Sequence, residues 1–368
     1  MMLLILFYSF LTVVCIQTIY YMVFSFFSFE KPIKQNINTA PVSLIICAKN
    51  EAENIEKNLP LILKQNHPNF EVVLINDASS DDTLELFEKF ALHHKNIKIV
   101  NVENNEAFWG NKKYALTLGI KSSSHELLVF TDADCKPTSN DWLQDMANHF
   151  NNSKSLILGY GAYEKKKNSL LNLLIRFETL LTAIQYLSYA KIGSPYMGVG
   201  RNLAYKKSLF FEANGFINHM KIRSGDDDLF VNQIGTKKNT SICVTPNSFT
   251  VSEPEQSFKK WILQKRRHVS TASHYKKRHQ FSLGLFFIAH ILFYVLASIL
   301  LAFSFKWLFV LIAIGIKYVI QFIVYYAAAK KLNEKDTVYM LPLVEVSLIL
   351  SQLYIFTSNL VSKPTHWK

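Results

Sequence analysis

Two aspartates separated by one residue, Asp132 and Asp134, follow an apolar run at 127–130. The run is typical of a buried strand, and an open α/β sheet binds its ligands outside the carboxyl ends of its strands. Side chains alternate along an extended chain, so both carboxylates point to the same side. Their hard oxygens suit Mg²⁺ or Mn²⁺ carrying a phosphate-rich ligand. The pair therefore predicts a divalent-metal site, with an ordinary solvated turn as the alternative interpretation.

A second acidic group consists of three consecutive aspartates, Asp226, Asp227 and Asp228, directly after Gly225. Like charges held this close raise the pKa of at least one carboxyl. A carboxylate with such a pKa can act as a general base in a cleft. The alternative interpretation is a solvated acidic turn or the first turn of a helix.

The elements that must position these groups alternate between strand and helix. Short apolar runs predict strands at 42–47, 70–75, 97–100 and 126–130. Helical stretches follow, starting near Asn50, Thr83 and Asn111, with Asn50 as the expected N-cap of the first. This alternation predicts an α/β fold with a mostly parallel sheet flanked by helices. Neither a Gly-x-Gly-x-x-Gly turn nor a Walker lysine loop occurs, which argues against dinucleotide and P-loop sites.

Long apolar runs divide the chain of 368 residues. Residues 1–29 read as an N-terminal transmembrane anchor, and the runs at 281–304, 307–329 and 337–361 as three further spans. Each is long enough to cross about 30 Å of hydrocarbon as a helix. The expected organisation is an anchor at 1–29, a soluble domain at 40–275, and three C-terminal transmembrane helices within 281–361.

The segment 168–190 has apolar residues at helical spacing with Arg176 and Glu178 among them. We expect an interfacial amphipathic helix here. A helix in the domain core and a fifth span remain as alternatives.

The distribution of lysine and arginine predicts how the chain sits in the membrane. Two lysines lie within 31–34, six basic residues within 265–278 and three within 330–335, whereas Lys306 stands alone between the second and third spans. The soluble domain is therefore expected in the cytoplasm, and both termini on the other side. The two lysines within 363–368 argue against that placement of the C-terminal tail.

The net charge of +12 comes from basic residues that are densest beside the apolar runs. Anionic lipid headgroups explain that placement better than nucleic acid, for which no basic and aromatic stripe is present. The four cysteines, Cys15, Cys47, Cys135 and Cys243, show no paired spacing. Neither a disulfide framework nor a zinc site is expected, in keeping with a reducing compartment.

An ordered set of motifs resembles family 2 glycosyltransferases. They lie at 42–51, 75–81, 110–112, 131–134, 198–205, 225–229 and 264–268. The last resembles the Q-x-x-R-W element of membrane-integrated members, with His268 in place of the tryptophan. The resemblance extends over about residues 40–275 and implies a GT-A nucleotide-sugar-binding fold and an inverting reaction.

The resemblance also implies roles for individual residues. Those that would bind the nucleotide-sugar donor are Ala48, Glu51, Asp77, Lys112, Asp132, Gln264 and Arg267. Lys113 is an alternative to Lys112, and Asn76 stands where the family more often has a second aspartate. Asp134 would be the direct metal ligand, and Asp132 would contact the ribose or a metal-bound water. The catalytic base would be Asp226 or Asp227, depending on how the acidic string is aligned.

The function implied is a membrane-bound, metal-dependent inverting glycosyltransferase with Mg²⁺ or Mn²⁺ as its cofactor. It would move a sugar from a nucleoside-diphosphate sugar, UDP- in preference to GDP-, to a lipid, lipid-linked or other glycan acceptor. The first alternative is a processive polysaccharide synthase. The second is a non-catalytic membrane component that binds nucleotide sugar. The protein is expected in the cell or inner membrane with its catalytic domain in the cytoplasm.

Overall fold

The computed structural model describes residues 1–31, 35–103, 112–222 and 224–362. Gly110 and Asn111 of the third motif, Lys34 and the basic tail at 363–368 lie outside the described residues.

Within the described residues the chain forms helices and strands in regular alternation up to residue 132. The strands are β1 Val42–Ala48, β2 Phe70–Asp77, β3 Ile97–Val102, β4 Leu127–Asp132, β5 Cys135–Pro137, β6 Leu156–Leu158, β7 Gly161–Tyr163, β8 Leu203–Lys206, β9 Thr240–Ile242 and β10 Thr250–Ser252. The helices are α1 Met2–Ser28, α2 Ala52–Ile62, α3 Thr83–His93, α4 Lys112–Ser122, α5 Trp142–Asn148, α6 Leu170–Lys191, α7 Lys207–Glu212, α8 Asp228–Ile234, α9 Phe258–Val269, α10 Lys277–Ala302, α11 Trp307–Lys331 and α12 Leu341–Val361.

The main sheet has seven strands in the order β3-β2-β1-β4-β8-β6-β9. The first four are parallel, β8 runs antiparallel to both β4 and β6, and β9 is parallel to β6. The register places Ala48 beside Asn76 and Cys47 beside Asp132. The carboxyl ends of β1, β2 and β4 therefore meet at one edge. A smaller sheet, β5-β10-β7, lies beyond β4 in the chain.

Helices cover both faces of the main sheet, so its strands are buried on both sides, as parallel strands usually are. Leu44 and Ile46 of β1 join a core with α2, α3 and α5, whereas Ile45 joins a core with α4 and α6. Neighbouring residues of β1 join opposite cores because side chains alternate between the two faces of a strand. The predicted mostly parallel α/β sheet flanked by helices is confirmed.

Five helices are long and apolar enough to cross a membrane: α1, α6, α10, α11 and α12. This agrees with the prediction of about four transmembrane helices. α1 runs antiparallel to α10, since Phe10 packs on Phe293 and, further along α1, Tyr20 packs on Phe286. The core on the α4 and α6 side continues without a break into α1, α11 and α12. The α/β sheet region and the apolar helices therefore share one packed interior.

One local prediction was wrong. Helix α2 begins at Ala52 with Glu51 as its N-cap, not Asn50. Asn50 has a positive φ of 55°, a conformation that asparagine tolerates better than most residues. Its side-chain oxygen instead accepts hydrogen bonds from the Ser80 backbone N–H at 2.8 Å and the Ser80 hydroxyl at 3.3 Å. The residue joins two neighbouring loops at the edge of the sheet.

Candidate functional site

The loops that follow β1 and β2 form one wall at the carboxyl edge of the sheet. The backbone N–H of Glu51 donates to Thr83 Oγ1 at 3.0 Å, and that of Ala52 donates to Asp81 Oδ2 at 3.1 Å. The Glu51 carboxylate accepts a hydrogen bond from Asn54 at 2.6 Å. These bonds fix the strand-end loops against each other, so Ala48 and Glu51 have a defined position beside β2.

Asp77 is the last residue of β2 and is buried, with 7% of its surface exposed. Burial raises the pKa of its carboxyl, against the opposing charges of Lys49 and Lys112. The neighbouring Asn76 points elsewhere, because its amide donates to Asn101 Oδ1 of β3 at 2.7 Å. Of the two polar residues at this strand end, Asp77 is the one placed beside the charged groups of the site.

Lys112, at the start of α4, joins two of the acidic motifs. Its Nζ lies 2.8 Å from Asp132 Oδ1 and 3.2 Å from Asp226 Oδ2. Burial alone would lower the pKa of Lys112, but these two carboxylates raise it well above its usual range. One ammonium therefore holds together residues that are 94 positions apart in the sequence.

The adjacent Lys113 has a different environment. Its Nζ is buried and donates to the carbonyl oxygens of His219, Ile222 and Ser224 at 2.7–2.8 Å. Burial lowers the pKa of Lys113 to about 8, against the charges of the nearby aspartates. Lys113 thus supports the loop that precedes the acidic cluster, while Lys112 faces the cleft.

The three consecutive aspartates also differ in their surroundings. Both carboxylate oxygens of Asp227 accept backbone N–H groups, from Gly200 and Asp228, each at 2.7 Å. Asp228 accepts the hydroxyls of Thr271 at 2.5 Å and Tyr275 at 2.6 Å. Asp226 Oδ2 instead faces Lys112, and 11% of its side chain is exposed. Two of the three carboxylates are therefore committed to holding the loop.

Burial, together with the charges of Asp226 and Asp228, raises the pKa of Asp227 to about 7. The two backbone hydrogen bonds do not offset this, because a charged carboxylate among other carboxylates is costly without full hydration.

A cleft at this edge brings four of the sequence-predicted residues together: Lys112, Asp132, Asp226 and Asp227. The other lining residues are Ile45, Cys47, Leu116, Phe130, Thr131, Gly200, Leu203 and Tyr205. Its lining thus combines apolar side chains with charged ones. The remaining predicted donor-binding residues surround this cleft or lie on α9, and none of them is part of its lining.

Asp134 lies in the turn between β4 and β5, two residues beyond the cleft-lining Asp132. Its Oδ1 is 3.5 Å from Cys135 Sγ. Both Asp132 and Asp134 are partly exposed. Among the residues that the structure describes, no group of three or more His, Cys, Asp or Glu side chains forms a ready-made metal cluster. Any divalent ion here needs further oxygen ligands from a bound molecule.

Arg201 is a residue of the site that no role was predicted for. It stacks on Tyr163 at 4.3 Å and donates to Ser252 Oγ at 2.8 Å and to the Gly161 carbonyl at 2.9 Å. Burial alone would lower its pKa, but its anionic surroundings, which include Asp132 and Asp134, raise it. Arg201 lies in the motif at 198–205, yet its partners on the small sheet are remote in sequence and carry no signal that would have identified them.

Helix α9 carries Gln264 and Arg267, which are three residues apart and share a face of the helix. Thr271, just after α9, bonds both the His268 carbonyl at 2.7 Å and Asp228 at 2.5 Å. This threonine attaches the end of α9 to the acidic loop. Gln264 Oε1 is buried and has no hydrogen-bond partner within the described part of the chain.

Comparison with known proteins gives a consistent result. Residues 43–220 match the family model described as glycosyl transferase family 2. A poly-beta-1,6-N-acetyl-D-glucosamine synthase from Staphylococcus epidermidis is 33% identical over 126 residues, which are 32% of this chain and 28% of that protein. Glycosyltransferase AglE from Haloferax volcanii is 34% identical over 105 residues, 28% of this chain and 33% of that protein. The chain thus spans a third or less of the length of these curated relatives.

Among solved structures, the mannosyltransferase PcManGT from Pyrobaculum calidifontis, in complex with GDP-Man and Mn²⁺, superposes with a TM-score of 0.58 at 18% identity. The match covers 95% of this chain and 97% of that one. At this identity the likeness establishes the fold, which is GT-A-like, and includes the membrane-proximal helices in its extent.

Proposed function

We propose, from the premise that this chain belongs to glycosyl transferase family 2 through residues 43–220, that it is a membrane-bound inverting glycosyltransferase. Its donor would be a nucleoside-diphosphate sugar, and its acceptor a lipid or lipid-linked glycan. The observation that carries the proposal is the Lys112 bridge between Asp132 and Asp226 at the carboxyl edge of the sheet. In the proposed reaction this ammonium would bind the diphosphate, and the Asp226 carboxylate beside it would act on the acceptor.

Asp226 is the proposed base. Its carboxylate borders the cleft, whereas both oxygens of Asp227 are occupied by backbone N–H groups. Asp226 would take the proton of an acceptor hydroxyl while that oxygen attacks the anomeric carbon. A carbon–oxygen bond to the acceptor forms as the bond to the diphosphate breaks, and the nucleoside diphosphate leaves. A single displacement of this kind inverts the anomeric configuration.

The remaining residues would bind the donor. Asp77, buried at the end of β2, would accept an N–H of the nucleobase, as a charge-assisted bond in a partly desolvated site. Ala48 and Glu51 would line the same pocket. Lys112 would contact the diphosphate. Gln264 and Arg267 would close over it from α9, which Thr271 attaches to the acidic loop. A UDP-sugar is favoured over a GDP-sugar by the sequence resemblance alone.

The donor set fits Mg²⁺ or Mn²⁺. Asp134 and Asp132 offer partly exposed carboxylate oxygens, and a diphosphate supplies the further oxygens that such ions prefer. Asp134 would be the direct ligand, as the family resemblance implies. When bound, the ion would neutralise charge on the leaving diphosphate.

The membrane helices support a cytoplasmic catalytic domain held at the lipid surface, where a lipid-linked acceptor is available. A processive polysaccharide synthase is the second candidate, because relatives from Staphylococcus epidermidis and Staphylococcus aureus are named poly-beta-1,6-N-acetyl-D-glucosamine synthases. His268 in place of a tryptophan weakens that candidate, since an imidazole offers a sugar a smaller stacking surface. A non-catalytic role would not explain why the Asp226 carboxylate borders the cleft beside Lys112.

The test is release of nucleoside diphosphate by detergent-solubilised protein from a panel of UDP- and GDP-sugars, with and without EDTA. We expect one donor to be turned over and EDTA to abolish the reaction. Membranes incubated with the labelled donor should then yield lipids carrying a single sugar. Long polymer would favour the synthase, and no turnover of any donor by folded protein would contradict the enzyme proposal.

A further inference from the structure

Three apolar helices have one end at the catalytic domain, and these ends define the domain side of the membrane region. The last turn of α11 meets the last turn of α1, where Lys331 Nζ donates to the Phe27 carbonyl at 2.5 Å. The first turn of α10 reaches the domain through His279, whose Nδ1 lies 3.0 Å from the Asn232 amide. α1 and α11 therefore end, and α10 begins, on the domain side.

The connection between α11 and α12 also lies on the domain side. Arg176 of α6 binds Glu334 with two nitrogens, at 2.5 and 2.8 Å, and Asp336 at 2.6 Å. Arg176 and Glu334 are buried, with 4% and 2% of their side chains exposed. Both nitrogens donate to the same oxygen of Glu334, Oε2, and this buried ion pair holds the segment that precedes α12 against α6.

The last turn of α12 also lies on the domain side. Arg266 of α9 donates to Asn359 Oδ1 at 2.9 Å and to the Ser358 carbonyl at 3.1 Å, and Asn359 donates back to the Arg266 carbonyl at 3.0 Å. The preceding Lys265 pairs with Glu178 of α6 at 2.5 Å. Glu178 is two residues from Arg176, so the segment before α12 and the helix α9 that binds its last turn both contact the same stretch of α6.

The length of α12 makes this return informative. Its 21 residues span about 31 Å, enough to cross the hydrocarbon. A crossing helix that started on the domain side would contact α10 further and further from Lys277 along its own length. Instead Glu345, near the start of α12, accepts a hydrogen bond from Tyr294, about 26 Å along α10 from Lys277. Phe356, later in α12, packs on Phe287 at 4.9 Å, only about 15 Å along α10.

The two faces of α12 fit a helix lying along the protein. One face is buried and carries Leu341, Val344, Glu345, Leu348, Ile349, Ser351 and Ile355. The opposite face is exposed and apolar, with Leu343, Leu350, Tyr354 and Leu360. The exposed face suits hydrocarbon. The lysines that follow in the sequence, at 363–368, suit the cytoplasmic side.

We propose that α12 is a re-entrant helix, which enters and leaves the lipid on the side of the catalytic domain. Its last turn holds α9 in place through the Arg266 and Asn359 pair. The chain then crosses the membrane with α1, α10 and α11, and the end of α12 lies on the same side as the cleft, contrary to the expectation from apolar runs. The inference that α12 holds α9 over a donor site rests on the proposed function. The course of α12 itself is independent of that function.

The course of α12 is tested with single added cysteines and a membrane-impermeant maleimide, in right-side-out and inside-out vesicles. Ser362→Cys reports on the end of α12, Lys95→Cys marks the domain side, and Ser304→Cys marks the α10–α11 turn. These three positions are exposed. We expect Ser362→Cys to be labelled in the same vesicles as Lys95→Cys. Labelling together with Ser304→Cys would overturn the proposal. Unaltered protein gives the background from the four native cysteines.

The attachment of α9 is tested by amide hydrogen exchange, which needs no substrate. Asn359→Ala should raise exchange within α9 at least several-fold, because the helix loses its contact with α12. Ser347→Ala is the matched control, since Ser347 is exposed on α12 and bonds only its own helix at Leu343 within the described residues. Equal protection of α9 in both variants would show that α12 does not hold it. Neither experiment depends on whether a donor is found.

Discussion

Lys112 and Lys317 both bind buried or partly buried carboxylates, and their surroundings differ in an instructive way. Lys112 lies between Asp132 and Asp226 with 14%, 32% and 11% of the three side chains exposed. Lys317, between membrane helices, binds Glu345 at 2.8 Å with 0% and 5% exposed. Tyr294 and Gln321 each donate a further hydrogen bond to Glu345 at 2.5 Å.

The first cluster is open and has more negative than positive groups, whereas the second is closed and its carboxylate is surrounded by donors. An excess of carboxylates beside a cleft can take up a cation or a proton from a substrate. A single satisfied pair inside packed helices has no capacity left for a ligand, but removing one partner leaves a buried charge. The same residue types would thus serve catalysis at the sheet edge under the proposed function, and they join helices in the apolar region.

The largest effect should come from the proposed base. Asp226→Asn is expected to lower transfer by about 10²–10⁴-fold, the usual contribution of a general base. Nucleoside-diphosphate release by solubilised protein measures this. Asp82→Asn, which alters an exposed aspartate, is the control and should keep full activity. If Asp227→Asn abolished transfer while Asp226→Asn retained it, the base would be Asp227.

Breaking the Lys317–Glu345 pair should lower the stability of the protein and not its transfer activity. Glu345→Ala leaves Lys317 buried without its carboxylate, which costs about 3–5 kcal/mol for pairs of this kind. The thermal unfolding midpoint in detergent should fall by several degrees. A Lys317→Met and Glu345→Leu double variant should recover most of that loss. A double variant as unstable as Glu345→Ala would mean that the other donors, not Lys317, set the cost.

The two adjacent lysines on α4 should separate binding from structure. Lys112→Met is expected to raise the KM for the donor by about 10- to 100-fold, since a hydrogen bond between charged groups contributes about 1.5–3 kcal/mol. Steady-state kinetics across donor concentrations measure it. Lys113→Met should mainly lower the unfolding temperature, because its three carbonyl partners lose their donor. The reverse pattern would exchange the two roles.

Asp227 should make stability depend on pH. Its pKa is about 7 in the folded protein against an ordinary value of 3.8. Between these values the unfolded chain has released the proton and the folded chain keeps it, so stability falls as pH rises through this window. Relative to Asp227→Asn, the unaltered protein should lose at least about 1.4 kcal/mol, the equivalent of one pKa unit. Denaturation at pH 5 and pH 8 measures the difference, and parallel profiles would contradict it.

The smallest effect is expected at an exposed ion pair. Lys57 and Glu253 lie 2.6 Å apart with 53% and 54% of their side chains exposed. Lys57→Ala should leave the unfolding midpoint and the activity unchanged, because solvent screens such pairs. Thermal unfolding beside Glu345→Ala makes the comparison. A loss as large as that of the buried pair would mean that short distance alone decides the strength of an ion pair here.

The sequence predicted the sheet well because its signals are local. Short apolar runs identified β1 to β4, and Asp77 and Asp132 are the last residues of two of these strands. Parallel strands bring such residues to one edge without further information. The three aspartates at 226–228 could not be told apart in this way. Their roles depend on Gly200, Thr271 and Lys112, which only the folded chain places beside them.

The membrane region was harder to anticipate. Apolar length identified α1, α10, α11 and α12 as helices, but length is the same for a helix that crosses and one that turns back. The buried partners of Arg176 and Arg266 lie 158 and 93 residues away, and nothing local in the sequence pairs them.

The contact between α1 and α10 has a consequence for how the protein is made. Gln17 of α1 donates from its amide to the Ala289 carbonyl at 3.0 Å, across 272 positions of chain. The ribosome delivers α1 to the bilayer long before α10 is synthesised. The Gln17 amide therefore lacks its Ala289 partner, and lies in lipid or water, while the whole domain is made. Domains generally fold as units during synthesis. The sheet should therefore fold while tethered to the membrane by a single helix, and the bundle should close around that helix last.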